Sequence, residues 1–350
     1  MTHRIALFAL AAAPLAAAPA QALRFDFTEL NGPLAPEVVQ GFEAAGQLWS
    51  DLFSDDITVR LNIGFEQLPQ DVLAQAGSPA LAVPLANFQD ILAADATNAD
   101  DAQAAASVAA LGGTLEFRTG GLGSTAFGTP RPGFVLDANG NTSNTTVNVN
   151  VANTRALGIL APDFPVSDGT ITFSSDFDFD FDRSDGIDAG AFDFIGIAAH
   201  EIGHALGFTS GGDIADLSTP AAQDNVTSLT PLDLFRFSED SLALDGSDGL
   251  DISTITDLDR LPFFSIDGGL SALAEFETGA ANGTGFQSSH FLDEQGFGLL
   301  DPTITTGTIN NISGLDTLAF DVIGFDLVPE PGSALALAGG LALLARRRRV

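Results

Sequence analysis

Residues 191–208 read Ala-Phe-Asp-Phe-Ile-Gly-Ile-Ala-Ala-His-Glu-Ile-Gly-His-Ala-Leu-Gly-Phe and contain one His-Glu-x-x-His, at His200, Glu201 and His204. Positions i and i+4 of a helix lie one above the other, so a helix here points both imidazoles at one metal ion. Glu201 then lies about 100° around the helix from His200, which suits a general base acting on water. A chance match is the alternative, and its expected frequency is on the order of 10⁻³ in a chain with so few histidines.

The same stretch carries helix signals at both ends. Apolar residues recur at helical spacing, Asp193 precedes them as a candidate N-cap, and Gly207 follows them as a left-handed stop. Gly196 and Gly203 each disfavour a helix interior by about 1 kcal/mol relative to alanine. Glycine inside a helix often marks close packing, so we expect tight contacts at both positions.

The composition is acidic and free of cysteine. The 350 residues include 46 Asp and Glu against 13 basic residues, all of them Arg. Such a surface repels nucleic acid and anionic membranes, and it suits high salt, bound calcium or simply solubility. Without cysteine, the chain has no disulfides, no thiolate metal site and no cysteine-based latency. The 45% hydrophobic content is ample for a buried core.

The two ends indicate export. Residues 1–22 have a positive start, an apolar run and an Ala-Gln-Ala cleavage site, as a secretory signal peptide does. Residues 328–350 contain Pro-Glu-Pro, an apolar run and a block of four Arg. This order resembles the PEP-CTERM sorting signal of Gram-negative bacteria, which implies an exosortase-type partner, transient membrane contact and a secreted or cell-surface protein. A simple C-terminal anchor is the alternative.

The segments between these ends predict an α+β fold. Helical periodicity is found at 37–53, 85–94, 100–111 and 312–325, and strand-like patterns at 56–65, 114–118, 134–136 and 145–151. We expect a small mixed sheet, the His-Glu-x-x-His helix under a cleft, and an irregular second half. Trp49, the single tryptophan, is expected in the core.

An alternating Phe-Asp repeat precedes the His-Glu-x-x-His helix. As a strand, it places Phe177, Phe179 and Phe181 on one face and carboxylates on the other. One interpretation is calcium binding, since Ca²⁺ prefers oxygen ligands. The candidate ligands are Asp178, Asp180, Asp182, Asp185 and Asp188. The alternative is a solvated edge strand whose charges prevent edge-to-edge pairing.

A catalytic zinc usually takes three protein ligands, so a third is needed. After the signal peptide the chain has only three histidines, which makes His290 the first candidate. Asp213 is the reserve candidate, because it follows the predicted helix closely and a carboxylate can bind zinc.

The residues at this point resemble a known family. His200-Glu201-x-x-His204-x-x-Gly207-Phe208 looks like the start of the metzincin zinc signature, although Ser210 occupies the usual third-ligand position. Leishmanolysin-like metzincins place a long insertion before the third His, and Ser288-Ser289-His290-Phe291 is similar to its context. Leu299-Leu300-Asp301-Pro302 then falls at the Met-turn, with Leu300 in place of the methionine.

The resemblance implies a metzincin-like zincin with subdomains at about 23–208 and 209–327, similar to bacterial exported metalloproteases with the PEP-CTERM tail. It implies zinc on His200, His204 and His290, Glu201 as general base, and hydrolysis of a protein or peptide substrate. No Tyr is present to stabilise an oxyanion. The alternatives are a calcium-binding surface or matrix protein with little turnover, and a zinc hydrolase of a non-peptide substrate.

Overall fold

The computed structural model describes residues 23–120, 135–217, 229–293 and 295–329. The predicted signal peptide at 1–22 and all but the first two residues of the predicted tail at 328–350 lie outside this part of the chain. Within the described residues, no helix has the length and apolar character needed to cross a membrane.

The fold is α+β, as predicted. The helices are α1 Pro36–Ser50, α2 Leu85–Asp95, α3 Ala99–Ala110, α4 Thr142–Thr145, α5 Val151–Ala156, α6 Phe194–Leu206, α7 Gly212–Leu217, α8 Glu239–Leu242 and α9 Gly314–Asp321. The strands are β1 Arg24–Glu29, β2 Thr58–Glu66, β3 Ala74–Gly77, β4 Ala80–Pro84, β5 Phe117–Thr119, β6 Val135–Asp137, β7 Thr146–Asn150, β8 Gly169–Ser174, β9 Phe179–Asp180, β10 Phe192–Asp193, β11 Arg236–Phe237, β12 Leu250–Asp251, β13 Phe263–Phe264 and β14 Ala274–Glu275.

A four-stranded mixed sheet supports the site. Its order is β1-β2-β8-β3, with β1, β2 and β8 parallel and β3 antiparallel to β8. Strand β3 is therefore an edge strand. Helices α1 and α6 contact each other and also the sheet.

Three buried phenylalanines join α1, β8 and α6. The ring of Phe194 lies 5.3 Å from that of Phe42 and 4.4 Å from that of Phe173, measured between centroids. The Phe42 and Phe173 rings are 5.4 Å apart in an edge-to-face arrangement. Aromatic pairs at these distances add roughly 0.5–1.5 kcal/mol each to the burial itself. This cluster fixes the N-terminal end of α6 against the sheet.

Trp49 lies in the core, as predicted, and contacts α6 directly. It is fully buried, and its indole N–H donates to the carbonyl oxygen of Ala199 at 2.9 Å. Its ring packs against Phe320 of α9, with centroids 4.6 Å apart. Helix α9 therefore packs against the end of α1, and Trp49 of α1 contacts both α9 and the middle of α6.

The Phe-Asp repeat does not form the continuous strand predicted for it. Strand β8 ends at Ser174, and only Phe179–Asp180 regains strand pairing. The carboxylate of Asp180 instead accepts the N–H groups of Asp182 and Asp188 at 2.9 and 2.8 Å. Aspartates that bind nearby backbone N–H groups favour turns over strands, and this local effect prevails over the alternating pattern.

The second half consists of short strands and loops, as predicted, but its sheet is larger than expected. The six-stranded order is β14-β13-β11-β12-β5-β6. Strands β5 and β6 come from the first half of the chain, and β5 pairs in parallel with β12. The six-stranded sheet therefore includes strands from both sides of residue 208.

Candidate metal centre

Helix α6 carries the His-Glu-x-x-His and begins and ends as the sequence predicts. Asp193 is the N-cap residue, and Gly207 ends the helix with a φ of 140°. The Asp193 carboxylate does not cap its own helix. It accepts from Arg183 at 2.9 and 2.6 Å and from the backbone N–H of Asn310 at 2.9 Å. Asp193 thereby ties the start of α6 to two loops.

The two helix glycines are sites of close approach. A Cβ built on Gly196 would lie 2.4 Å from the Asp193 carboxylate and 2.9 Å from the Arg183 guanidinium. A Cβ on Gly203 would lie 3.3 Å from Leu300 and 3.4 Å from Trp49. The expectation of tight packing at both positions is confirmed.

The structure brings His200, His204 and His290 together. The Nε2 atom of His204 lies 3.0 Å from that of His200, and the Nε2 atom of His290 lies 3.2 Å from each of them. His290 is buried, while the other two rings keep partial exposure. The third histidine thus reaches the helix pair from 86 residues further along the chain.

Backbone carbonyl groups set the orientation of all three rings. The Nδ1 atoms of His200, His204 and His290 lie 2.7, 2.7 and 3.2 Å from carbonyl oxygens of Leu299, Phe208 and Gln287, respectively. A carbonyl oxygen can only accept, so each Nδ1 carries the proton. In a neutral imidazole, the Nε2 atom then presents a lone pair. Three lone pairs therefore point at one another.

Burial lowers the pKa of all three histidines. For His204, burial and the neighbouring His200 lower the pKa to about 3. Burial also lowers the pKa of His200, and it lowers that of His290 well below the usual range, with smaller contributions from the other two rings. All three rings are therefore neutral at pH 7, which is the form that binds metal ions.

The donor set fits a metal ion. Three nitrogens spaced by 3.0–3.2 Å can all lie about 2.1 Å from one ion, the usual distance between zinc and a histidine nitrogen. Without a cation, three converging lone pairs repel one another. Each ring also has the second hydrogen bond that usually orients a metal-binding histidine.

No protein-family model, curated protein or solved structure matches this chain.

Glu201 lies beside the histidines without joining them. It is buried and lines a cleft of about 680 Å³ that also exposes the three histidines. Burial raises the pKa of Glu201 to about 8. A divalent cation nearby acts in the opposite direction and favours the carboxylate. The residue is therefore placed to exchange a proton with a molecule in the cleft.

Leu300, which the resemblance predicts at the Met-turn position, packs against the His-Glu-x-x-His helix. It is fully buried and packs against Gly203, between the two histidine turns of α6. Leu299, just before it, provides the carbonyl oxygen for His200. Leucine and methionine have similar volumes, so Leu300 can fill this space without a thioether.

Asp213, the reserve ligand, lines the same cleft but is not part of the three-histidine group. Its carboxylate accepts the backbone N–H of Ser288 at 2.5 Å. Burial raises the pKa of Asp213 to about 6, and hydrogen bonds from Ser289 and Ser288 act in the opposite direction. Asp213 therefore holds the segment that carries His290.

The five aspartates expected to bind calcium do not form a comparable group. Among the described residues, the histidine cluster is the one set of at least three His, Cys, Asp or Glu ligand atoms within 4.8 Å of one another. Asp180 and Asp182 instead accept backbone N–H groups within their own loop. No three of the carboxylates on Asp178, Asp180, Asp182, Asp185 and Asp188 converge, so the structure gives no support to calcium binding there.

Two features of the site were not anticipated from the sequence. Residues 71–76, which include the start of β3, line the cleft. Strand β3 is the last strand of its sheet, so one of its edges has no neighbouring strand in that sheet. The carboxylate of Asp316 holds the Leu299–Leu300 turn through two backbone N–H groups. Strand β3 could not be predicted because Ala74–Gly77 shows only weak alternation of apolar and polar residues. The contacts of Asp316 could not be predicted because its partners lie in an irregular turn, which has no sequence signal.

Proposed function

We propose that this protein is a zinc-dependent endopeptidase with a metzincin-like zincin fold and a leishmanolysin-like insertion before its third histidine. The observation that carries the proposal is the convergence of three neutral Nε2 atoms at 3.0–3.2 Å in a cleft that also contains Glu201. A donor set of three neutral imidazoles favours zinc.

The chain's own residues have separate tasks in this mechanism. His200, His204 and His290 would hold the ion, and their carbonyl partners keep Nε2 deprotonated. Bound zinc would supply Lewis acidity towards a substrate carbonyl oxygen and would lower the pKa of water towards ~7. Glu201 takes the proton from the attacking water and delivers it to the leaving amine nitrogen. Burial favours the neutral carboxylic acid form of Glu201, so the residue can keep the proton between these two transfers.

A free strand edge favours a peptide substrate. Strand β3 pairs with β8 on one side, and residues 71–76 line the cleft. An extended peptide can add to such an edge through main-chain hydrogen bonds, independently of its side chains. A peptide bound in this way would run along a wall of the cleft that the three histidines also line. A non-peptide ester or amide gains nothing from the edge.

The proposed setting is the cell surface or exterior of a Gram-negative bacterium. It rests on the signal-like start and the PEP-CTERM-like tail, which also suggest an exosortase-type partner. The acidic composition agrees with a protein that avoids nucleic acid and anionic lipid.

Hydrolysis of an unfolded protein such as casein tests the proposal. The purified protein should contain about one zinc per chain and cleave casein, and a chelator should abolish cleavage. Glu201→Gln should keep the zinc and reduce the rate by about 10²–10⁴-fold, the usual contribution of a general base. Glu66→Gln, an exposed residue at the end of β2, should retain full activity.

Three other results would overturn the proposal in different ways. Zinc binding with no cleavage of proteins or peptides, but with hydrolysis of small esters, identifies a non-peptide hydrolase. Zinc binding without any hydrolysis favours a surface or matrix protein. No zinc in a correctly folded protein removes the basis of the mechanism.

A further inference from the structure

The short helix α7, directly after the His-Glu-x-x-His helix, is hydrogen-bonded to the segment that precedes His290. Two of its aspartates accept backbone N–H groups from residues more than 60 positions further along the chain. Asp213 binds Ser288 at 2.5 Å, and Asp216 binds Ala281 and Asn282 at 2.7 and 2.8 Å. Helix α7 therefore connects the chain just after α6 to the segment that leads into His290.

The peptide groups of Ser288 are held from two sides. Its N–H donates to Asp213, and its carbonyl oxygen accepts from the Arg236 guanidinium at 3.2 Å. Arg236 is itself immobilised by the carbonyl oxygens of Asp251 and Glu277, at 2.9 and 2.6 Å. Ser288 lies two residues before His290, so these contacts limit the positions that the third imidazole can take.

His290 depends on such support more than the helix histidines do. His200 and His204 are placed by α6 and have Nδ1 hydrogen bonds of 2.7 Å, whereas His290 belongs to an irregular segment and has a contact of 3.2 Å to Gln287. The closure of a long loop on a metal ion costs conformational entropy. Fixing the segment beforehand reduces the entropy lost when the ion binds.

We propose that Asp213 is a positioning residue that presents His290 to the metal before the metal arrives. The inference rests on the metal site of the proposed function. Asp213 acts through the Ser288 peptide and the Ser289 side chain, not as a ligand, because it lies outside the three-histidine group. Arg236 holds the next peptide group, through the Ser288 carbonyl oxygen.

Zinc affinity of the purified full-length protein tests this role. The dissociation constant is measured by competition with a chromophoric chelator. Asp213→Ala should weaken zinc binding by about 10–100-fold, as the loss of partners behind a metal ligand usually does. Asp213→Asn keeps an oxygen that accepts from Ser288 and should recover most of this loss. The absorption spectrum of the cobalt-substituted protein should change in the alanine variant and be restored in the asparagine variant.

Asp216→Ala is the matched control, since Asp216 lies on the same helix and also binds the chain ahead of His290. It should lower the Tm while leaving zinc affinity within about threefold of the wild type, because its partners are Ala281 and Asn282. Equal losses of zinc affinity in Asp213→Ala and Asp216→Ala would contradict a specific role for Asp213. If Asp213→Ala does not fold, Ser289→Ala carries the comparison, and an unchanged zinc affinity in that variant overturns the proposal.

A double-mutant cycle separates positioning from general destabilisation. In a His290→Ala background, Asp213→Ala should cause no further loss of zinc affinity, because the residue acts through that ligand. An undiminished loss in this background would overturn the proposal. The readout is independent of hydrolysis, so a protein that binds zinc without cleaving peptides would leave this inference standing while the proposed function fails.

Discussion

The Nδ1 atom of His200 lies 2.7 Å from the carbonyl oxygen of Leu299, which is 99 residues further along the chain. The N–H groups of Leu299 and Leu300 donate to the Asp316 carboxylate at 2.8 and 3.1 Å. The carbonyl oxygen of Leu300 accepts from Phe291, next to the third histidine, at 3.1 Å. One irregular turn thus connects two of the histidines to α9.

Asp316→Ala should strongly destabilise the protein. Asp316 is fully buried and accepts the N–H groups of Leu299, Leu300 and Ser313. Each donor left unsatisfied costs about 1–3 kcal/mol, so we expect a loss of roughly 3–5 kcal/mol in the free energy of unfolding. Urea unfolding measures it, with the exposed Asp163→Ala as the control. A loss below about 1 kcal/mol would contradict this role.

Leu300→Met should be tolerated and Leu300→Ala should not. Methionine conserves the volume beneath α6, so its cost should stay below about 1.5 kcal/mol with zinc content unchanged. Alanine leaves a cavity next to Gly203 and should cost about 2–5 kcal/mol. Denaturant unfolding and elemental analysis of both variants provide the measurements. Loss of zinc in the methionine variant would show that shape alone does not define this position.

Much of the site could be predicted because its signals are local. The His200 and His204 pair follows from helical spacing, and helix α6 has its end signals within a few residues of each terminus. His290 was found by the scarcity of histidine and by the resemblance of its neighbours. Its orientation was not predictable, since it depends on Asp213 and Arg236, which lie 77 and 54 residues earlier in the sequence.

Two features of the fold were not predicted, for different reasons. In one, local hydrogen bonds compete with a sequence pattern. The Phe-Asp repeat alternates as a strand does, yet Asp180 uses its carboxylate to build a turn. In the six-stranded sheet, strands β11 to β14 have only two residues each, too short to produce a periodic signal. Pairing of β5 with β12 joins segments more than 130 residues apart, and no property of either segment alone indicates it.

Gly196→Ala should destabilise the protein although alanine favours helix. The gain in helix propensity is about 1 kcal/mol. It is outweighed because the new Cβ would meet the Asp193 carboxylate at 2.4 Å, and that carboxylate is held by Arg183 and Asn310. We expect a net loss of about 1–3 kcal/mol, as for other overpacked sites.

Gly203→Ala is the comparison for this substitution. Its new Cβ would lie 3.3 Å from Leu300 and 3.4 Å from Phe320 and Trp49, distances that shifts of a few tenths of an ångström can relieve. The propensity gain should then nearly cancel the crowding, so we expect a change within about 1 kcal/mol of zero. Thermal unfolding of both variants gives the ranking, and a Gly196→Ala protein as stable as the wild type would contradict it.

A group of acidic residues at the C-terminal end of α2 is expected to make stability depend on pH. Burial raises the pKa of Asp55, Asp95 and Asp321 to about 7 each. The charge of Asp326 contributes for the first two, and that of Asp101 for the third. Since the ordinary value is 3.8, the folded chain binds more protons than the unfolded chain between about pH 4 and pH 7.

Asp95→Asn should therefore stabilise the protein at pH 8 and have little effect at pH 4. A raised carboxyl pKa contributes stability that is present below the unfolded pKa and is lost as the pH rises through the folded value of about 7. The asparagine removes the charge, including its unfavourable position at the end of a helix, with little change in shape. We expect a Tm higher by about 2–4 °C at pH 8, the shift that roughly 1 kcal/mol produces in a large domain. Asp90→Asn, exposed on the same helix, is the control. An Asp95→Asn protein whose Tm follows the wild type at every pH would show that the carboxylates do not repel one another in the folded protein.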